Sequence, residues 1–313
     1  IEATKSKLSK NENLLNTVDE VINYKPDVVL VAANEVPHFF PGIKVQVFHG
    51  FSVNKRNKDK GHFRIRGFFD LYCTQGPSTT TYFKKLEKKH SFFKVVETGW
   101  SKVDVLFPKT ESKKDSKPTL FLASTFTTSL SLAHNNEVYN VIKKLIENDE
   151  WNWIINLHPK MDAEIVQKFK QLEQYVTYIP FLDSLLPLKN ADVLIADTSS
   201  IITEFMIQEK PVVTFNNNKP FDYFINTLEA KDLEKNIRLA LSKPKELMDK
   251  ISVFINNEQP YFDGKSSERI ISASLDFLNS KTNTKLKKKP LNLIRKFKMR
   301  KKFNYFKNFF KSN

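Results

Sequence analysis

The sequence predicts an α/β protein of two parallel-sheet domains followed by a basic amphipathic tail, and three observations lead there. Short β-rich apolar runs alternate with stretches of helical spacing, the pattern of parallel sheets with crossover helices. At 313 residues the chain is longer than one hydrophobic core usually spans. Thirteen Lys and Arg and no acid lie between residues 281 and 313, so that only two of the fifteen net positive charges belong to the rest of the chain.

The elements follow in order. "DVVLVAA" (27–33), "KVQVFHG" (44–50), "LYCTQG" (71–76) and "KVVETG" (94–99) read as the strands of a first sheet. "PKTESKKDSKP" (108–118) is polar, charged and flanked by prolines, as a linker is, and it places the domain boundary near residue 115. "TLFLAS" (119–124), "WNWIINLHP" (151–159), "VTYIP" (176–180), "DVLIAD" (192–197) and "PVVTF" (211–215) read as a second sheet. The expected domains are therefore 1–115, 116–280 and a tail of 281–313. The chain starts at Ile1 with a stretch that is no signal peptide, and natural residues are expected upstream.

Composition narrows the chemistry. With 40% apolar and 27% charged residues the chain is globular. The lone Cys73 excludes an internal disulfide, fits a reducing compartment and reads as a small core residue. No apolar run approaches the roughly 20 residues that span a bilayer. Six of the seven glycines precede the linker, and neither G-x-G-x-x-G nor a Walker loop occurs, which disfavours a dinucleotide site and a P-loop. No H-E-x-x-H or paired-cysteine spacing occurs, so no built-in metal or cofactor is indicated. The nearly neutral body disfavours nucleic acid as a partner, leaving that reading to the tail alone.

The chemistry concentrates where "DVLIAD", apolar on both faces, meets "TSSIITEFMIQEK" (198–210), whose Ile201, Ile202, Phe205 and Met206 keep helical spacing. Asp197, Thr198, Ser199 and Ser200 fall at the junction. A helix start presents unpaired N–H groups, and hydroxyls beside it add neutral donors, so the turn suits an anion. The alternative is that Ser199 or Thr198 simply caps the helix. Glu204, about one turn on, is placed to meet a ribose hydroxyl or to stand as a solvated acid. His49 and His158 each end a β run, at the edge where open parallel sheets bind ligands. Such a histidine takes a proton from a hydroxyl or, when protonated, offsets phosphate charge, and either one alone can also be structural. One in each expected domain points to a shared cleft.

"HGFSVNK" (49–55), "TGWSKVDVLF" (98–107), "LHPKMD" (157–162), the 191–215 stretch and "FDGKSSERI" (262–270) stand in the order found in CDP-glycerol glycerophosphotransferases, and the chain resembles that family over residues 25–280. The resemblance implies a GT-B fold of two Rossmann-like domains around a cleft. It also implies transfer of a polyol phosphate, glycerol phosphate foremost, from a CDP-activated donor such as CDP-glycerol to a hydroxyl of a lipid-linked or saccharide acceptor, with CMP leaving. His49 would be the base, with Gly50 and Lys55 in the same motif near the substrate. His158 would contact the donor pyrophosphate, Asp197, Thr198, Ser199 and Ser200 would surround the phosphates, and Glu204 would lie by the ribose. Asp263, Ser267 and Arg269 would lie near the donor. The departures are Phe51, Thr198 and Trp100 to Lys102, which differ from the family's usual residues. The alternative reading is a GT-B nucleotide-sugar glycosyltransferase or epimerase, using the same anion turn but acting at sugar carbon.

In the tail, Met299, Phe303, Phe306 and Phe310 recur at helical steps, with Arg300, Lys301 and Lys302 flanking them. Leu293, Ile294 and Phe297 fall on the other side of one straight helix, so a kink or two short helices are expected. The pattern suits an interfacial helix on an anionic membrane surface, which would hold a cytoplasmic enzyme at the inner face of the cell membrane. The alternatives are a solvated tail or a helix packed on the body.

Overall fold

The structure, a computed structural model, describes residues 8–50, 61–109, 117–179, 185–280 and 286–306. The described residues fall into two compact units. Lys55 and Phe310, singled out in the sequence, lie outside the described residues.

The first unit is built on a four-stranded parallel sheet of β1 (Val28–Val31), β2 (Ile43–Gln46), β3 (Leu71–Thr74) and β4 (Lys94–Glu97), in that order. Side chains alternate across a strand, and β3 shows the consequence. Tyr72 faces an aromatic layer, with ring centroids 5.2 Å from Phe83 of the helix Pro77–His90 and 4.7 Å from Phe93. Leu71 and Cys73 face the other way, in a cluster with Val45, Ile270 and Phe277. Burial pushes the Cys73 thiol up to about 12, so it is the inert core residue that the sequence indicated.

The tail packs on this same unit. Lys289 donates to Asp70 (2.6 Å) and to the Phe68 carbonyl (2.8 Å), and Asn292 donates to the Arg66 carbonyl (2.9 Å). Gly67, at φ +77°, lets the chain pass: a Cβ there would meet Asn292 Nδ2 at 2.6 Å. The tail helix runs Leu293–Lys302. The sequence placed Met299, Phe303 and Phe306 on one outward face with Arg300, Lys301 and Lys302 around them, and the structure departs from this. Met299 and Arg300 are buried. Arg300 donates to His38 Nε2 (3.3 Å) and lies over the Phe39 ring, while Phe303 and Phe306 come after the helix has ended. A long cation that meets the His38 and Phe39 rings finds more to bind on the body than in water.

The second unit carries a six-stranded, wholly parallel sheet in the order β10-β9-β8-β5-β6-β7. Its strands are β5 (Thr119–Ser124), β6 (Asn152–Leu157), β7 (Thr177–Ile179), β8 (Val193–Ala196), β9 (Val212–Phe215) and β10 (Ile225–Thr227). β10 is too short and polar to read from the sequence. Both faces are covered, which is why the strand runs are continuously apolar. Leu120, Leu122, Val193 and Ile195 face one core, with the helix Asn136–Glu147. Phe121, Ala123, Leu194 and Ala196 face the other, with the helix Ile201–Met206.

The division between units does not follow the boundary expected at residue 115. Residues from Gly99 to Ser267 cluster with the second sheet and those from Glu268 onward with the first. Trp100, Val103, Leu106 and Phe107 explain the early switch, because they are buried in the second unit's core. The Trp100 N–H is also fastened to Gln259 Oε1 at 2.8 Å. Apolar anchoring of a short 3₁₀ turn, Ser101–Leu106, outweighs the polar composition of the segment after it.

Candidate functional site

In the second sheet the chain moves outward from β5 through β6 to β7, then returns to lay β8 against the other side of β5. The helices after β5 and β8 leave to opposite faces, Asn136–Glu147 to one and Ile201–Met206 to the other. Ligands of open α/β sheets bind at the carboxyl ends of strands where the order reverses in this way. The residues that end β5, β6 and β8 are Ser124, His158 and Asp197.

These three are tied together. The Asp197 carboxylate is fully buried and accepts from Ser124 Oγ (2.7 Å), the Thr125 N–H (2.9 Å) and the Leu132 N–H (3.2 Å). Burial raises its pKa, and those hydrogen bonds oppose the rise. Asp197, expected beside the phosphates, is engaged here by the loop after β5, whose shape it holds. On the other side of Ser124, its carbonyl accepts from the His158 N–H (3.2 Å), and its Oγ also meets Ser131 Oγ at 2.9 Å.

The His158 side chain is half-buried against Phe126, ring centroids 4.4 Å apart. The Lys160 N–H donates to its Nδ1 (3.0 Å), which leaves the proton on Nε2. Burial, reinforced by the Lys160 charge, lowers its pKa, so near neutral pH it offers a neutral N–H donor rather than the cation considered from the sequence.

The turn after β8 separates its hydroxyls. Thr198 Oγ1 accepts from the Asn218 N–H (3.2 Å), toward the loop between β9 and β10, while the Asn217 amide donates to the Asp197 carbonyl (2.8 Å). Ser200 is exposed and its side chain makes no capping bond; Ser199 Oγ accepts only a 3.4 Å contact from the Ile201 N–H. The capping alternative is therefore weakly realised, and both serine hydroxyls remain at the sheet edge. Glu204 is not solvated: it is buried and accepts from Lys102 at 2.5 Å. Burial raises its pKa, and Lys102 pulls it back. A ribose contact there requires Lys102 to yield.

"FDGKSSERI", expected near the donor, is tied to the 3₁₀ turn Ser101–Leu106. Asp104 accepts from the Ser266 N–H (3.0 Å) and from the N–H and hydroxyl of Ser267 (2.7 Å each). Ser267 and Asp104 thus begin the helix Ser266–Asn279, while the exposed Asp263 accepts from the Lys265 N–H (3.1 Å). Arg269 falls in the first unit, lining a cavity of about 530 Å³ with Lys84, Glu87 and Asp276. A cavity of about 250 Å³ in the second unit is lined by Thr128, Ser129, Ser131, His134, Asn135 and Asn216, with His134 Nε2 on Asp162 at 2.8 Å. The hydroxyl-rich run "STFTTSLS" (124–131) is the sequence signal for this loop, one that no motif marks, and Asn217 is likewise unmarked.

His49 stands in the first unit, after β2. Its exposed ring is oriented by Nδ1 to the Ala32 carbonyl (3.0 Å), so that Nε2 is the unprotonated nitrogen. Gly50 follows with nothing within 4 Å of where its Cβ would be, so no close packing demands a glycine there. His62 stacks on Phe48 at 4.5 Å, and burial lowers it to about 4. Among the described residues no group of three His, Cys, Asp or Glu gathers to hold a metal ion.

Residues 78–274 match the model of a family described as UDP-N-acetylglucosamine 2-epimerase. No curated protein matches the chain. Among solved structures, the wall teichoic acid polymerase TagF in its H444N variant is similar at TM-score 0.56 and 16% identity, over 80% of this chain and 73% of that one. The UDP-GlcNAc 2-epimerase of Neisseria meningitidis, bound to UDP-GlcNAc, is similar at 0.53 and 17%, over 82% and 78%. That of Methanocaldococcus jannaschii is similar at 0.54 and 19%, over the same shares. At such identities the likeness is one of fold, the two-sheet GT-B fold. The sequence match lies with the epimerase alternative rather than with the glycerophosphotransferases that the ordered motifs resembled.

Proposed function

Because the chain belongs to the UDP-N-acetylglucosamine 2-epimerase family, we propose that it is an enzyme acting on a sugar activated by a nucleoside diphosphate, with the diphosphate held at the carboxyl ends of β5, β6 and β8. The observation that carries this is the Ser124 junction, which ties His158 and Asp197 to one point at the reversal of strand order. His158 Nε2–H and the Ser199 and Ser200 hydroxyls are neutral donors suited to diphosphate oxygens, and they lower the cost of charge developing on a departing nucleotide. Inverting carbon 2 of a sugar removes its hydrogen and returns one from the opposite face. If the C1–O bond breaks as the carbon-2 proton is taken, the C–H electron pair becomes a C1–C2 double bond, and the same diphosphate then adds back to carbon 1 as a proton reaches the opposite face of carbon 2. The chain must supply a proton acceptor, and His49, with Nε2 unprotonated, is the candidate. Glu204 is the candidate for the ribose, exchanging Lys102 for its hydroxyls.

The test is a comparison of ligands by thermal protection, since a ligand bound to the native state raises the midpoint. UDP and UDP-GlcNAc should protect more than CDP or CDP-glycerol, and His158→Ala and Ser199→Ala should weaken that protection. Preference for CDP-glycerol, with CMP released in the presence of a hydroxyl acceptor, would instead favour the polyol-phosphate transfer to which the ordered motifs point.

A further inference from the structure

We propose that the outward side of the tail helix Leu293–Lys302, with its flanks, is a docking surface for an anionic lipid bilayer. Its orientation on the first unit is fixed from beneath: Met299 and Arg300 are buried, and Lys289 and Asn292 are bonded to the segment 66–70. What that docking turns outward is apolar. Leu291 is 72% exposed, Leu293 63%, Ile294 74%, Phe297 49% and Phe306 47%. Leu293, Ile294 and Phe297 follow one another within about a turn, and Phe297 and Phe306 have ring centroids 6.1 Å apart. Lys298, Lys301 and Lys302 are exposed beside them. Leu293, Ile294 and Phe297 lie opposite the stripe read from the sequence, and Phe306, a member of that stripe, joins them from beyond the helix end.

Charge decides the occupant. Residues 281–313 hold thirteen cations and no acid, so a second copy of this surface would be repelled. A nucleic acid would satisfy the lysines and leave the aliphatic side chains in water. An anionic leaflet satisfies both, taking apolar side chains into the headgroup boundary and lysines to the lipid phosphates. A ten-residue helix is too short to cross, and no helix among the described residues is long and apolar enough to do so.

The experiment is co-sedimentation of the full chain with vesicles of phosphatidylcholine, with and without phosphatidylglycerol. The two variants are Ile294→Ser with Phe297→Ser, and Lys298→Glu with Lys301→Glu. These side chains are exposed, and unchanged UDP-GlcNAc protection checks that each variant is folded. The chain should sediment with the anionic vesicles at least tenfold more strongly than with the neutral ones, and each variant should lose at least tenfold. Equal binding to both vesicles, or binding unaffected in either variant, overturns the proposal. So does a loss confined to the charge-reversed variant together with retained duplex DNA binding by the serine variant, which marks a plain polyanion site. Self-association that only the serine variant abolishes, without vesicle binding, assigns the surface to a second copy and overturns it equally.

Discussion

His158 takes its tautomer from a backbone N–H two residues on, and that one hydrogen bond sets what the side chain can offer. With Nδ1 accepting and the pKa lowered, the free protein presents a neutral donor above pH 6.5. Affinity for UDP-GlcNAc, whose diester phosphates keep their charge, should change by less than about twofold between pH 8 and 7 and rise only below the ordinary histidine range. Titration calorimetry across that interval checks this; a steep rise already between pH 8 and 7 would mean that the histidine binds as a cation. Asp197 is the opposite case, a buried carboxyl that accepts from the loop after β5. Asp197→Asn keeps the volume but can turn an amide donor toward donors, and should cost about 1–3 kcal/mol in urea unfolding and weaken UDP-GlcNAc binding. Wild-type values in both measurements would show that the loop after β5 holds without it.

At the scale of elements, Asp104 links the 3₁₀ turn Ser101–Leu106 to the start of the helix Ser266–Asn279. Asp104→Ala leaves two N–H groups at that start unmatched and should cost about 1–2 kcal/mol by chemical denaturation, whereas Asp263→Ala should cost little. The same pair shows where the sequence was legible. Every strand of the two sheets except β10 was readable: in β5, β8 and β9 burial on both faces writes a continuous apolar run, and the part-exposed β1, β4 and β7 still show their β-branched and aromatic residues. The turn after β8 and the two sheet-edge histidines were readable because they sit where β-rich runs stop. The bonds from Asp104 to Ser266 and Ser267, from Lys102 to Glu204 and from Ser124 to Asp197 were not, because each joins residues 73 to 163 apart. The tail misled in a further way. Helical spacing set Leu293, Ile294 and Phe297 apart from Met299, but a period carries no information on which side meets the body or where the helix stops, and Phe303 and Phe306 fall beyond its end.

For the whole molecule, two histidines of the first unit are held neutral by the fold. His38 and His62 are each lowered to about 4, His38 by burial and then by the Arg300, Lys296 and Lys44 charges, His62 by burial and then by His49. The unfolded chain takes up these protons near pH 6.5 and the native one does not until about pH 4, so native stability falls as pH drops through that window. Asp197 and Glu204, raised by burial, act in the opposite sense toward its acid end. The melting temperature should therefore fall between pH 7.5 and 5, and by less in a His38→Gln, His62→Phe variant. An equal fall in both proteins would assign the acid sensitivity elsewhere.

The membership of the family and the tie between β5, β6 and β8 meet in a single reaction, which nuclear magnetic resonance can follow in heavy water with UDP-GlcNAc as substrate. Solvent deuterium should appear at carbon 2 of the sugar together with the 2-epimer. His49→Ala should lower the rate by about 10² to 10⁴ while leaving nucleotide protection unchanged. A carbon-2 hydrogen that stays protonated under conditions where CDP-glycerol gives up CMP to an acceptor would contradict the proposed activity directly.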